Sequence, residues 1–313
     1  MQPDPTQVPR YANLSTFARL PHQPEGEVDI GIVGVPFDGG CTYRTGARFG
    51  PSAIRQASRL LRAYNPEQGV YPFRDAHVAD LGDVSCTPFC NAEAMEQLRE
   101  RLAALCGRIR RMPVLLGGDH TISYPILKAL SQRRHFPDGI TLVHFDSHMD
   151  TWDDYFGEAF THGTPFRRAF DEGLINTATS MHIGLRGSIN HEDDIAADRA
   201  LGFRTVRCAE VEELGVAGVV RRIRDRVRDT PCYLSIDIDV VDPGAAPGTG
   251  TPECGGLSPL QLLAMVRQLR GIRLVGADVV EVAPAYDVSE VTATLAATLA
   301  YEMICLGVSD SRL

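Results

Sequence analysis

The chain reads as an α/β protein, a three-layer α/β/α arrangement with a parallel sheet of about eight strands. Three observations carry that reading. Short runs rich in β-branched residues recur along the sequence, helical stretches separate them, and the runs are apolar at nearly every position. A strand that is apolar throughout is buried on both faces, as in a parallel sheet covered by crossover helices. With 313 residues, 44% apolar and 23% charged, the chain can bury a sizeable core in one large domain.

Taken in order, the spacing predicts strands at 30–35, 77–81, 113–116, 140–145, 180–184, 203–207, 231–236 and 274–280. The clearest helix between them starts from Asn91 as a cap, with Met95, Leu98, Leu102, Leu105 and Ile109 spaced by three and four. Pro51 after Gly50 and Pro259 after Ser258 suit the first turns of two more. The apolar stretch 291–306 is interrupted by threonines and Glu302 and is too short to span lipid, so a buried helix is expected. Residues 1–24, broken by Pro3, Pro5, Pro9 and Pro21, are expected to form a surface arm, neither a signal peptide nor a membrane span. The single domain then covers 25–307, and 308–313 reads as a frayed tail.

Metal-ligand side chains fall just beyond three of these strands. They are His120 in Gly-Gly-Asp-His, then Asp146, His148 and Asp150 in Asp-x-His-x-Asp, then Asp237 and Asp239 in Asp-x-Asp. In extended backbone, ligands at every second residue share one side, and strand ends in such sheets are where ligands bind. Each motif alone suits a solvated turn or a set of caps; three together at strand ends indicate a metal site. Four carboxylates and two imidazoles without a thiolate suit Mn(II) better than a structural zinc, with Ni(II) as the alternative. Six ligands are too few for two separate octahedra, so bridging aspartates and open positions for water are expected, as in a two-metal hydrolase. Such a centre lowers the pKa of bound water from roughly 15.7 towards ~7. Four carboxylates roughly balance two divalent ions, so a bound hydroxide leaves the centre mildly anionic, which favours a cationic substrate. His144 lies one step inside its strand and is expected as a hydrogen-bonded core histidine. Asp119 is expected to tie down its turn or orient a ligand.

These motifs, together with Gly-Val-Pro-Phe-Asp from Gly34, Gly-Ala-Arg-Phe-Gly-Pro from Gly46 and Glu-Val-Ala-Pro from Glu281, resemble the ureohydrolases, the family of arginases, agmatinases and guanidino-acid hydrolases. The likeness spans nearly the whole chain and implies the arginase-like fold. It also implies a pair of manganese ions that activate a hydroxide to attack a guanidinium carbon, releasing urea and an amine. Carried over, His120, Asp146, Asp150 and Asp237 hold the first metal, and Asp146, His148, Asp237 and Asp239 the second, with Asp146 and Asp237 bridging. His162 matches the family's proton-shuttling histidine and Glu281 the carboxylate that grips the guanidinium fork, and with Asp150 they make the expected catalytic set. The usual second motif has alanine at the position of Ser147. Ser147 and Met149, on the outward parity, are expected not to touch metal.

The loop 151–160 carries Asp153, Asp154 and Glu158 among Trp152, Tyr155, Phe156 and Phe160, unlike the Asn- and Ser-containing loop of the arginine-specific branch. The chain therefore looks nearer to the agmatinase and guanidino-acid branch. Asp153 and Asp154 would attract the second cation of agmatine. A guanidino acid would need a donor such as Tyr43, Arg167 or Arg168. A substituted guanidine or biguanide, the substrate of related nickel enzymes, would pack on Trp152 and Tyr43. A non-catalytic partner subunit on the same fold is the alternative from another class, and retention of the whole ligand set speaks against it. The Gly- and Pro-rich segment 242–252 reads as an active-site loop.

A net charge of −9 and the lack of a basic stripe argue against nucleic acid. Eight dispersed cysteines read as free thiols of a reducing compartment, so a cytoplasmic location is expected. The resemblance implies a homo-oligomer, trimer or hexamer, with a related second subunit as the alternative.

Overall fold

The structure, a computed structural model, describes residues 2–4 and 6–309. All eight expected strands form: β1 (Val28–Val35), β2 (Val78–Asp83), β3 (Ile109–Gly117), β4 (Thr141–Phe145), β5 (Met181–Leu185), β6 (Arg204–Arg207), β7 (Cys232–Asp237) and β8 (Leu274–Val280). They make one sheet in the order β2-β1-β3-β8-β7-β4-β5-β6, and every pairing is parallel.

The helices are α1 (Gly50–Ala57), α2 (Pro72–Asp75), α3 (Asn91–Cys106), α4 (Ser123–Arg133), α5 (Pro165–Asp171), α6 (Asp194–Leu201), α7 (Cys208–Val227), α8 (Pro259–Arg267) and α9 (Val291–Ser309). Strand parity divides the core. Met112, Val114 and Leu116 of β3 and Cys232, Leu234 and Ile236 of β7 pack with Ile54 of α1, Val219 of α7, Leu262 of α8 and the buried face of α9. Leu115 and Tyr233 point the other way, onto Leu98 of α3, Leu127 of α4 and Phe166 of α5. The inner strand positions thus meet a helix layer on each face and carry few polar residues, whereas Arg110 and the edge strand's Arg204 and Arg207 are exposed. The few polar residues at inner positions are therefore informative.

Two local expectations change. Asn91 is the first residue of α3 rather than its cap, and its amide donates to the carbonyls of Gly39 and Phe160. Ile109 fits the helical spacing but begins β3, because Gly107 already ends the helix. Pro51 and Pro259 do sit in first turns, and Ser258 caps α8 in a capping box with Gln261. In the expected tail, Val308 and Ser309 continue α9, and 310–313 lie outside the described residues. Helix α9 has the length and composition to cross a membrane, yet most of it is buried inside the fold. Its Glu302 is held by Arg267, Asn65 and Gln68.

The N-terminal segment lies against the sheet's β1–β2 side, with Phe17 fully buried and its N–H donating to Asp80. Gly118 explains the doubled glycine before Asp119: a β-carbon there would stand 2.2 Å from the Phe37 carbonyl oxygen and 2.7 Å from that of Val35. Gly118→Ala is expected to cost about 3 kcal/mol by forcing two backbones apart. A thermal melt within 1 °C of the parent would refute the close approach.

Candidate metal centre

The candidate ligands come from strands that are neighbours in space but not in sequence. His120 follows β3, Asp146 to Asp150 follow β4, Asp237 ends β7 and Glu281 follows β8, and these four strands stand side by side as β3-β8-β7-β4. At this edge, His120 Nδ1 has carboxylate oxygens of Asp150 at 2.9 Å, Asp146 at 3.2 Å and Asp237 at 3.4 Å, yet it makes no hydrogen bond and is fully buried. Burial would lower His120, but the three carboxylates more than offset it and hold the imidazole well above its ordinary value, so this nitrogen calls for positive charge beside it. A divalent cation accepts from all four at once, so the donor set fits a metal.

A second cluster shares Asp146. Its Oδ1 lies 3.3 Å from His148 Nδ1, and Asp239 Oδ2 lies 3.1 Å from the same nitrogen. Asp237 Oδ1 accepts the Asp239 N–H at 2.8 Å. Burial and the neighbouring carboxylates hold the Asp237 carboxyl well above the usual carboxylate range, and burial with Asp146 pushes Asp150 up to about 6. That congestion is what a cation pair would relieve.

The ligands are oriented from behind. His120 Nε2–H donates to Ser235 Oγ at 2.8 Å, and Ser235 donates to Asp278 at 2.7 Å, which leaves Nδ1 free to face the carboxylates. Burial pushes His144 down to about 3, and its Nε2–H donates to Asp146 Oδ2 at 2.8 Å, the core role expected of it. Asp119 accepts from Thr121 N–H and Gly40 N–H, tying the loop after β1 to the site. Ser147 keeps its outward parity but is not idle: its N–H and Oγ–H both donate to Asp239 Oδ1, at 3.1 and 2.7 Å. Sequence parity alone missed this, because Asp239 arrives from another strand.

His162 and Glu281 meet at the rim. Glu281 Oε1 accepts the His120 N–H at 2.9 Å and lies 3.4 Å from His162 Nδ1, while Oε2 is buried without a partner. Burial would lower His162, but Glu281 more than offsets it and pushes the imidazole up to about 9. Thr42 holds the other ring nitrogen, with its hydroxyl at 2.7 Å and its N–H at 3.3 Å from Nε2. Asp150 and Glu281 both take left-handed backbone, φ 56° and 63°, a costly conformation for residues with side chains and one that collects at functional sites.

A cleft of about 60 Å³ opens here, lined by Thr42, His148, Asp150, Trp152, His162 and Thr251 among others. Trp152 reaches it together with Tyr155, ring centroids 5.6 Å apart, and Thr251 brings the Gly- and Pro-rich loop to its wall. Tyr43 and Asp153 do not line it. Tyr43 is 71% exposed beside Arg44, and Asp153 is drawn to the surface by Arg168 and Arg167.

Residues 28–305 match the profile of the Arginase family. The guanidinopropionase of Pseudomonas aeruginosa is 44% identical over 308 residues, covering 97% of this chain and 94% of that protein. The mitochondrial guanidino acid hydrolase of Homo sapiens is 43% identical over 309 residues, covering 97% and 85%. The solved structure of proclavaminate amidino hydrolase from Streptomyces clavuligerus superposes with a TM-score of 0.92 at 39% identity, covering 96% of this chain and 99% of that one. A strand order that assembles these ligands, a profile match across the sheet and such similarity over nearly full lengths place one conclusion beyond the motifs: the chain belongs to the Arginase family.

Proposed function

We propose that the chain is a ureohydrolase that cleaves a C–N bond of a small guanidino compound, releasing urea and an amine. The observation that carries this reading is the unpartnered, buried Glu281 Oε2, whose other oxygen lies 3.4 Å from His162, a wall of the cleft that Asp150, His148 and Asp237 of the ligand clusters also line. His120, Asp146, Asp150 and Asp237 would hold one divalent ion, and Asp146, His148, Asp237 and Asp239 the other. Bound there, such a pair supplies positive charge and an acidified water, its pKa falling towards ~7. The oxygen-only carboxylate set with two imidazoles favours Mn(II), with Ni(II) as the alternative.

The chain's own groups do the rest. Glu281 accepts the planar guanidinium and fixes its carbon over the cluster. His162, held at Nδ1 by Glu281 and at Nε2 by Thr42, carries a proton to the departing amine. Trp152 and Tyr155 wall the cleft and limit water.

For the substrate tail, the reading favours a guanidino acid over agmatine. Asp153 is already paired with Arg168 and Arg167, which removes the most obvious anion for a second amine but equally occupies two of the donors a carboxylate tail would use, so the choice rests on the relatives. Similarity to a guanidinopropionase and a guanidino acid hydrolase supports that choice. Eight free cysteines support a reducing, cytoplasmic setting. The test is urea release from 3-guanidinopropionate, 4-guanidinobutyrate, agmatine, arginine, guanidine and metformin, with Mn(II) and with Ni(II). The two guanidino acids are expected to give the highest kcat/KM with Mn(II). Agmatine in first place would overturn the tail assignment, metformin with Ni(II) would favour the substituted-guanidine alternative, and no urea from any would overturn the function.

A further inference from the structure

Helix α6 has one buried side chain, and it is an aspartate, Asp198, 2% exposed. A helix that turns its single buried position into a carboxylate has placed a costly group where an apolar one would pack, unless a partner requires it. The partner is His182 of β5, whose Nε2 lies 3.3 Å from Asp198 Oδ1. His182 Nδ1 in turn lies 2.8 Å from His144 Nδ1, and His144 Nε2 lies 2.8 Å from Asp146. At its far end Asp198 Oδ1 also accepts the hydroxyl of Thr151 at 2.8 Å, directly after Asp150.

The polarity of this chain follows from its ends. A carboxylate only accepts, so His144 gives its Nε2–H to Asp146. With one proton on the ring, His144 Nδ1 is left as an acceptor and must receive from His182 Nδ1–H. A ring that gives Nδ1–H to His144 meets a carboxylate favourably at Nε2 only when that nitrogen is protonated too, so His182 faces Asp198 as an imidazolium in an ion pair at 3.3 Å: burial alone would raise the Asp198 carboxyl, but His182 holds it below its ordinary value. Phe166 sheathes His144 at 4.5 Å and Phe203 sheathes His182 at 4.4 Å, centroid to centroid, which keeps water out and the interactions strong.

The sheet register makes the arrangement more than a local contact. Asp278, Ser235, His144 and His182 are direct neighbours across β8, β7, β4 and β5, one continuous row of buried polar side chains. One half of that row orients His120 through Ser235. We propose that the other half does the same for Asp146: His182 and Asp198 are positioning residues of the metal centre, acting on the shared ligand Asp146 through His144. Through Thr151, Asp198 also braces the backbone behind Asp150, so a helix on the far side of β5 sets both ends of the Asp146–Asp150 ligand segment.

This inference rests on Asp146 being a metal ligand, as proposed above, and the test separates the two. Metal-free full-length chain is titrated with Mn(II) against a fluorescent chelator. His182→Gln and Asp198→Asn are each expected to weaken Mn(II) binding by about tenfold or more, as losses of groups behind a ligand do. The double variant is expected to be no weaker than the worse single one, because the two residues act in series. Singles within twofold of the parent, or losses that multiply in the double variant, would overturn the proposal. A parent chain that binds no Mn(II) would overturn the metal-centre reading and this inference with it. Should the variants not fold, nitrogen-15 spectra of the histidine-labelled parent, metal-free and loaded with Zn(II), decide. His144 is expected to carry its proton on Nε2 and His182 one on each nitrogen; a His144 protonated on Nδ1 alone runs the chain the wrong way and removes the basis for it.

Discussion

Replacing Asp237 by alanine is expected to lower urea release by at least about 10³-fold, some 4 kcal/mol or more in transition-state stabilisation. The residue ends β7, is buried, faces His120 with Oδ2 and caps the Asp239 N–H with Oδ1. Alanine therefore removes the ligand proposed to be shared by both metals and frees the Asp239 N–H it caps. Metal content should fall from close to two divalent ions per chain to one or fewer. Chelating the parent should reproduce the loss, and added Mn(II) should restore only the parent. A fully active variant or a fully active chelated enzyme would end the two-metal reading.

The same residue supplies a stability test. An acid whose folded pKa is raised above its unfolded value binds more protons folded than unfolded, so stability falls as pH rises through that window. Asp237 is raised by burial and by Asp239 and Asp146, and Asp150 to about 6 by burial and Asp146, both from 3.8. The metal-free chain should therefore lose melting temperature between pH 4 and pH 6, and divalent ions should remove most of the slope. A metal-free melting temperature that rises over this interval would show that the carboxylates do not crowd one another.

Glu281→Gln is expected to lower kcat/KM by about 3–4 kcal/mol, roughly 10²- to 10³-fold, because a desolvated guanidinium loses its charged partner. The amide keeps the shape and can still accept the His120 N–H, so the fold should survive. The substitution has a second signature. Without the carboxylate, His162 loses its largest upward influence, and its titration should drop from about 9 in the metal-free chain. Protonated His162 contributes stability that is present below 6.5 and lost as pH rises through about 9, and the variant should lack that contribution. Unchanged kinetics would take Glu281 out of the site; an unmoved His162 would uncouple the pair.

The central strands were legible because burial on both faces writes a near-continuous apolar run, and the candidate ligands were legible because polar groups at the ends of such runs have no packing reason to be there. Local punctuation was less reliable. Ile109 extends the helical spacing of α3 yet belongs to β3, since periodicity does not register where the backbone turns at Gly107. Acidic Asp153 looked like a substrate contact, and two arginines 14 and 15 residues further along, Arg167 and Arg168, draw it to the surface instead.

By itself the sequence determined the α/β class, the parallel sheet and the identity of the candidate ligands, since hydropathy and side-chain chemistry are properties of single residues and short windows. The order β3-β8-β7-β4 was decided only in three dimensions, because any crossover helix can carry a strand past its neighbour and no local pattern records which edge it joins. That order is what brings His120, Asp146, Asp237 and Glu281 to one edge and lines up Asp278, Ser235, His144 and His182 behind them. Hydrogen bonds such as Ser147 to Asp239 and His182 to His144 depend on angstrom-scale register between distant segments, a quantity that exists only once the chain has packed.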